Sequence, residues 1–207
     1  MASMPNPDTL PAYQRERRQG IVDAARELLD QHGFDQVQVR DVAAKAGVAL
    51  GTLYRYFSSK DHLFMVVFAQ WGSPVLDEDW MAHLRPADRL KARLHATFRS
   101  LERHPGFLKV VTLSSTTEDP EAIAVMEVFN HYLAKVFGAD LSTLTPTEAE
   151  HITEMVWAMH SSMVGQMIQG RMDADGALAV IDSFCDLVAL KLDSAKAAAQ
   201  TATVSAS

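Results

Sequence analysis

The chain has 207 residues, 48% of them apolar and 22% charged, enough to bury a core of its own as one domain or two small ones. Its longest apolar run, Leu63 to Ala69, is far short of the roughly 20 residues that cross a bilayer, and its one cysteine, Cys185, excludes a disulfide framework. A formal charge of −7 argues against a nucleic-acid partner for the molecule as a whole, because a phosphate backbone repels an acidic surface.

That total hides a gradient. Residues 1–60 hold eight Lys/Arg against seven Asp/Glu, whereas 61–207 hold eleven against nineteen. Only the first part has the balance to lie on DNA, although chance alone is a competing reading of such a gradient. Residues 1–12 carry three prolines and no periodicity, and are expected to be a disordered N-terminus. No apolar stretch precedes the basic cluster Gln14-Arg15-Glu16-Arg17-Arg18, so no secretory signal is expected and the predicted location is cytoplasmic.

From residue 13 onward nearly every segment repeats its apolar residues with a 3.6-residue period, as in Ile21, Ala25, Leu28, Leu29 and His32. Strand alternation with turn dipeptides is missing, so the predicted fold is all-α with about nine helices. Breaks at Gly33, Gly47, Ser58-Ser59, Gly72-Ser73-Pro74, His104-Pro105-Gly106 and Glu118-Asp119-Pro120 divide the first of them. The spacing predicts helices over 13–31, 39–46, 50–57, 60–71, 86–103, 106–115, 120–137, 147–169 and 174–193. The Ala/Thr/Ser stretch 195–207 has no apolar face and is expected to be a disordered tail.

The informative stretch is 33–64. Val39, Val42, Ala43 and Ala46 give one short helix an apolar face, Gly47 supplies a positive-φ turn, and Val48, Leu53 and Phe57 face back to a core. That is the layout of a helix-turn-helix, whose second helix projects into a major groove. Leu50, Gly51, Thr52, Tyr54, Arg55 and Tyr56 are left facing outward, a surface of hydroxyl donors, a cation and a glycine suited to close approach. Lys60 falls in the first turn of the next helix, where the dipole favours an anion, and Ser58 with Asp61 has capping-box spacing. Taken singly, Tyr54 and Tyr56 read better as half-buried packing residues and Arg40 as a solvated charge, and the surrounding pattern reverses that; the arginines at 15, 17 and 18 read as solvated or as backbone or minor-groove contacts.

Arg40 to Gly47 together with Gly51-Thr52-Leu53-Tyr54-Arg55-Tyr56-Phe57-x-Ser59-Lys60 resemble the DNA-binding signature of TetR-family transcriptional repressors. Gln14 to Arg18 and Ala49-Leu50 are most similar, within that family, to the actinobacterial sterol-catabolism repressors. The resemblance implies a helix-turn-helix DNA-binding domain over 13–60 and a ligand-binding and dimerisation domain over 61–194. It further implies that Arg40, Leu50, Gly51 and Tyr54 meet base edges, that Thr52, Tyr56 and Lys60 hold phosphates, and that Arg55 serves either way. Gln38 and Ala49 depart from the pattern, since they offer no N-cap oxygen of the usual kind. That loss is worth about 0.5 to 2 kcal/mol per helix. Leu50 cannot hydrogen-bond a base, which leaves a thymine methyl as its partner.

The predicted helices 147–169 and 174–193 carry more apolar surface than one buried edge needs, and the family's dimer through its last two helices implies a homodimer here, bound to a near-palindromic double-stranded operator. Met155, Met159, Met163 and Met167 form a slowly rotating stripe, either plain core or an adaptable ligand wall. A pocket implied by the resemblance would be lined by Phe98, Phe107, Val111, Met126, Phe129, Trp157, Met159 and Met163, and would hold a small apolar effector such as a steroid intermediate or an acyl-CoA thioester. Phosphate-loop, dinucleotide, zinc-protease and hydrolase motifs are lacking, so no enzyme activity and no cofactor are expected. The eight histidines are scattered and read as ordinary residues, and Cys185 reads as a small core hydrophobe. Two rival functions stay open on sequence: an all-helical carrier or enzyme in which 39–60 only packs, and a ligand-blind or activating DNA-binding regulator.

Overall fold

The computed structural model describes residues 10–75, 81 and 83–205. Among them lie nine helices and no strand: α1 (Ala12–His32), α2 (Val39–Lys45), α3 (Leu50–Tyr54), α4 (Lys60–Val75), α5 (Pro86–Arg103), α6 (Gly106–Leu113), α7 (Pro120–Asp140), α8 (Pro146–Ile168) and α9 (Ala174–Ser205). The all-α expectation holds, and most helix bounds fall within a residue or two of the periodicity.

Both ends correct the expected disorder where they are described. Residues 1–9 lie outside the described residues, but Leu10 is buried, its carbonyl accepts a hydrogen bond from Arg15 at 2.7 Å, and α1 begins at Ala12. At the other end α9 runs on to Ser205 instead of stopping near 193. Ala195, Ala197, Ala198 and Ala199 explain the extension, since alanine is the strongest helix former and needs no buried face to continue a helix already begun.

The described residues divide into two compact units, one within Met1–Ser73 and Arg103–Phe129, the other within Pro74–Glu102 and Asn130–Ser207. This packing differs from a boundary at 60/61, because α4, α6 and the start of α7 join the helix-turn-helix. In the first unit α1 buries Ile21, Val22, Ala24, Ala25 and Leu29, and α4 is buried on nearly every side from His62 to Phe68. Trp71 stacks on Phe107 of α6 at 4.2 Å, and Phe68 meets Phe129 edge-on at 5.5 Å. His104 bonds Asp30 at 3.1 Å and Lys109 pairs with Asp35, so α6 and its approach grip both the end of α1 and the turn after it.

That grip depends on Gly106. A Cβ on this residue would overlap the carbonyl oxygen of Leu29, a backbone atom that cannot move aside like a flexible side chain. Hydrogen at this position lets the first turn of α6 rest directly on the last turn of α1.

In the second unit the basic residues of α5 meet the acids of α9: Lys91 and His95 reach Asp182 at 3.0 and 2.6 Å, and Arg99 reaches Asp175 at 2.7 Å. Deeper, Arg89 and Arg93 converge on the buried Asp140 at the end of α7, at 2.6 and 3.1 Å. Breaking such a buried pair costs about 3 to 5 kcal/mol, because it strands a charge away from water. Thr145 and Glu148 close a capping box on α8, and Lys191 of α9 reaches the same Glu148 at 2.7 Å. Those bonds hold the Glu148 carboxyl down at about 2. Cys185 is buried in α9 and its thiol is pushed up to about 12, in keeping with a packing role.

Gly106→Ala is expected to lower stability by about 2 kcal/mol, a fall of roughly 4 to 8 °C in Tm. Gly20→Ala, in the middle of α1 with nothing near its Cβ position, is expected to raise Tm instead. Thermal unfolding of the two variants, followed by circular dichroism, checks both signs.

Candidate nucleic-acid interface

Gly47 makes the turn of the helix-turn-helix. Its φ of 67° lies in the left-handed region, and it ends α2 with Val48 N–H donating to Ala43 O at 3.0 Å and Gly47 N–H to Ala44 O at 3.1 Å. Neither Gln38 nor Ala49 contributes a side-chain cap, as the sequence indicates, so the short helices α2 and α3 owe their stability to tertiary packing. Val42, Ala43 and Leu53 are the buried contacts of that packing.

α3 turns one face outward. Leu50 is 42% exposed and Tyr54 47%, with Gly51 and Arg55 exposed beside them and Thr52 half-buried. Arg40, on α2, is exposed with Asp41 as a loose neighbour at 3.7 Å. An exposed pair of this kind contributes about 0 to 1 kcal/mol, which leaves the guanidinium free to exchange Asp41 for a base edge or a phosphate.

Two expectations change. Tyr56 does not face outward: it is 6% exposed, because residues 53, 56 and 57, spaced by three and four, share one face, and the buried Leu53 and Phe57 fix that face inward. Lys60 is also directed inward. Its ammonium donates to Phe34 O at 2.6 Å and lies 4.2 Å from the centre of the Phe34 ring, and burial lowers its pKa. Of the basic cluster on α1, Arg18 packs its guanidinium 4.9 Å above the Phe57 ring and Arg15 is held by Leu10, while Arg17 is exposed.

The segment after α3 is tied to the turn before α7. The cap of α4 is Ser59, whose hydroxyl accepts the His62 N–H at 3.0 Å, and not the pair Ser58 and Asp61. Ser58 instead donates to Asp119 at 2.9 Å, and Asp61 accepts from Thr117 at 2.9 Å. Asp119 at the same time caps α7 by accepting the N–H groups of Glu121 and Ala122 at 2.8 and 3.3 Å. Burial opposes its charge, yet hydrogen bonds from the Ser59 and Ser58 hydroxyls and from those two N–H groups hold the carboxyl below its usual value. Beneath this cluster His62 is buried, its Nδ1 accepting the Ser58 N–H at 3.2 Å, and burial pushes its pKa down, so the ring is neutral. An Asp before Pro-Glu is a readable helix start. Its partner, 61 residues earlier, is not.

The expected ligand-lining residues fall into both units. Phe107, Val111, Met126 and Phe129 are buried in the first, whereas Phe98, Trp157, Met159 and Met163 belong to the second. Of the latter, Phe98 and Met163 are buried and Trp157 and Met159 half-buried. α8 leaves Met155 and Ile168 exposed, and α9 leaves Val180, Leu187 and Leu190 exposed. Among the described residues no three His, Cys, Asp or Glu gather to hold a metal, and no helix is long and apolar enough to cross a membrane.

Comparison with known proteins matches both parts of the chain. Residues 21–67 match the family described as bacterial regulatory proteins, tetR family, and residues 84–188 match the tetracyclin repressor-like C-terminal domain. The HTH-type transcriptional repressor KstR of Mycobacterium tuberculosis is 31% identical over 147 residues, covering 69% of this chain and 67% of that protein. Its counterpart from Mycolicibacterium smegmatis is 31% identical over 147 residues, covering 69% and 72%. A TetR transcriptional regulator from Rhodococcus superposes with a TM-score of 0.67 at 27% identity, over 87% of this chain and 98% of that one. FadR from Bacillus subtilis, solved in complex with stearoyl-CoA, shares the fold with a TM-score of 0.63 at 19% identity, over 82% and 96%.

Asp119→Ala removes the cap of α7 and the acceptor of Ser58 together, so amide exchange at residues 57–62 and 121–123 is expected to speed up at least tenfold, read by hydrogen–deuterium exchange with mass spectrometry. The folded carboxyl titrates below the unfolded one. Its contribution is therefore present above the ordinary carboxylate range and disappears as pH falls through the lower folded value, so wild type and variant converge in acid.

Proposed function

The chain belongs to the tetR family of bacterial regulatory proteins, and from that premise we propose that it is a homodimeric repressor that binds a near-palindromic operator and is released by a small apolar effector. It is a transcriptional regulator and not an enzyme. The observation that carries the reading is the outer face of α3, where Leu50, Gly51, Tyr54 and Arg55 are exposed while Leu53, Tyr56 and Phe57 anchor the helix from behind.

In this reading Arg40, Gly51 and Tyr54 approach base edges and Leu50 meets a thymine methyl. Thr52 and Arg55 hold the phosphates that fix register. Lys60 gives one of its three hydrogens to Phe34, which leaves two for a phosphate, and Tyr56 acts by packing. The exposed apolar residues of α8 and α9 would be covered by the same residues of a second copy. Two recognition helices on a near-palindromic operator need a spacing of about 34 Å.

Release requires an effector that prefers a conformer with the recognition helices wrongly spaced, and a coupling of about 1 to 3 kcal/mol is typical. α7 is suited to carry it, because Asp119 at its start holds Ser58 and Asp140 at its end holds Arg89 and Arg93. The sequence resemblance to sterol-catabolism repressors and the stearoyl-CoA complex of FadR favour a steroid intermediate or an acyl-CoA thioester as effector class.

Fluorescence anisotropy with the chain's own upstream DNA, against a scrambled duplex at two salt concentrations, tests the reading. The expected result is specific binding at two protomers per duplex. Tyr54→Ala is expected to weaken it about tenfold or more, and Arg55→Ala to lower the salt slope by about 1. Equal and weak binding to both duplexes, persisting after removal of co-purifying ligand and across a wider set of duplexes, would contradict it.

A further inference from the structure

His160 stands apart from the other buried polar side chains among the described residues. It sits on α8, 8% exposed, and among the described residues its Nδ1 is the buried side-chain nitrogen or oxygen with no hydrogen-bond partner. Buried polar atoms are nearly always bonded, since an unmet one lowers the folding equilibrium by a factor of roughly ten or more. A chain that only needed to fill this space would do so at no such cost with phenylalanine or leucine. The surroundings are apolar: Phe98 of α5 lies edge-on at 5.1 Å, Trp157 lies at 6.2 Å, and Val156 and Val164, one turn away on either side along the helix, are buried.

We propose that His160 is the polar anchor of the effector site, recognising through Nδ1 a single neutral oxygen, a ketone or a hydroxyl, on an otherwise apolar ligand that packs against Phe98 and Trp157. This deepens the effector reading above and rests on it. Nδ1 accepts from a hydroxyl in one ring tautomer and donates to a carbonyl in the other, so both oxygens share the chemistry. An anionic head does not suit the place. Burial pushes the ring's pKa down to about 4, which keeps it uncharged and leaves a carboxylate there without a counter-charge. Orientation through one hydrogen bond in an aromatic and aliphatic surround is how apolar ligands are commonly held.

The test uses the full chain labelled with 15N and three matched probes: 4-phenylcyclohexanone, 4-phenylcyclohexanol and phenylcyclohexane. The ring nitrogens of His160 are followed by NMR, assigned by comparison with His160→Phe. At least one oxygenated probe is expected to shift the His160 Nδ1 resonance and to bind about tenfold tighter than the hydrocarbon, a preference that His160→Phe abolishes while still binding all three. Without probe, His160→Phe is expected to raise Tm by about 2 to 4 °C, because it removes an unmet polar atom. A lowered Tm, the mark of a histidine satisfied by internal water, would overturn the proposal, as would equal binding of the three probes or an Nδ1 resonance that no probe moves. Operator affinity in the same samples separates the two levels. Engagement of His160 without a change in DNA binding leaves the site intact and counts against the effector reading alone.

Discussion

The close approach of α6 to α1 at Gly106 is the constraint from which the geometry of the first unit follows. Only a residue without a Cβ fits beneath the carbonyl of Leu29. With that contact made, Phe107 reaches the face of Trp71, His104 reaches Asp30 and Lys109 reaches Asp35. The turn after α6 then carries Thr117 and Asp119 to the start of α4, where they take hold of Asp61 and Ser58. The end of the recognition segment is thereby positioned by a loop more than fifty residues away in sequence. The helix-turn-helix needs this support because α2 and α3 are seven and five residues long and lack side-chain caps. Helices of that length do not persist in water on propensity alone.

The two units solve different electrostatic problems. In the first, charges are spent on positioning: Lys60 on the Phe34 carbonyl, Lys45 on Glu27 at 2.7 Å, Arg18 on the Phe57 ring. Arg40, Arg55 and Arg17 are exposed, which is how a domain of near-zero net charge can still present cations to a duplex. In the second unit the acidic excess is partly absorbed by α5, whose Lys91, His95 and Arg99 face acids of α9. Asp140 binds two guanidiniums out of water. Among the buried polar side chains described, the unpaired nitrogen of His160 is conspicuous.

Much of this was legible in the residues, and the failures have physical causes. The helices follow from a 3.6-residue period, and the Gly47 turn follows from the need for positive φ between two short helices. The outward reading of Tyr56 conflicts with the inward reading of Leu53 and Phe57, since the three are spaced by three and four and lie on one inner side. Ser58 and Asp61 have the spacing of a capping box, but both side chains are drawn to residues 117 and 119, a tertiary competition that no local pattern encodes. The Ala-rich tail lacks the apolar face that marks a packed helix, yet alanine extends a helix without one. His160 looked ordinary because burial and the lack of a partner are properties of packing, not of spacing.

The central claim is that the outer face of α3 lies in the major groove, once per protomer of a dimer. Dimethyl sulfate tests it most directly, because it methylates guanine N7 in the major groove and adenine N3 in the minor groove. The account predicts that the protein, bound to its upstream DNA, protects guanine N7 in two half-sites centred about 10 base pairs apart, and that Tyr54→Ala loses both patches together. Protection confined to adenine N3, or a single unpaired patch that Tyr54→Ala leaves unchanged, would contradict it.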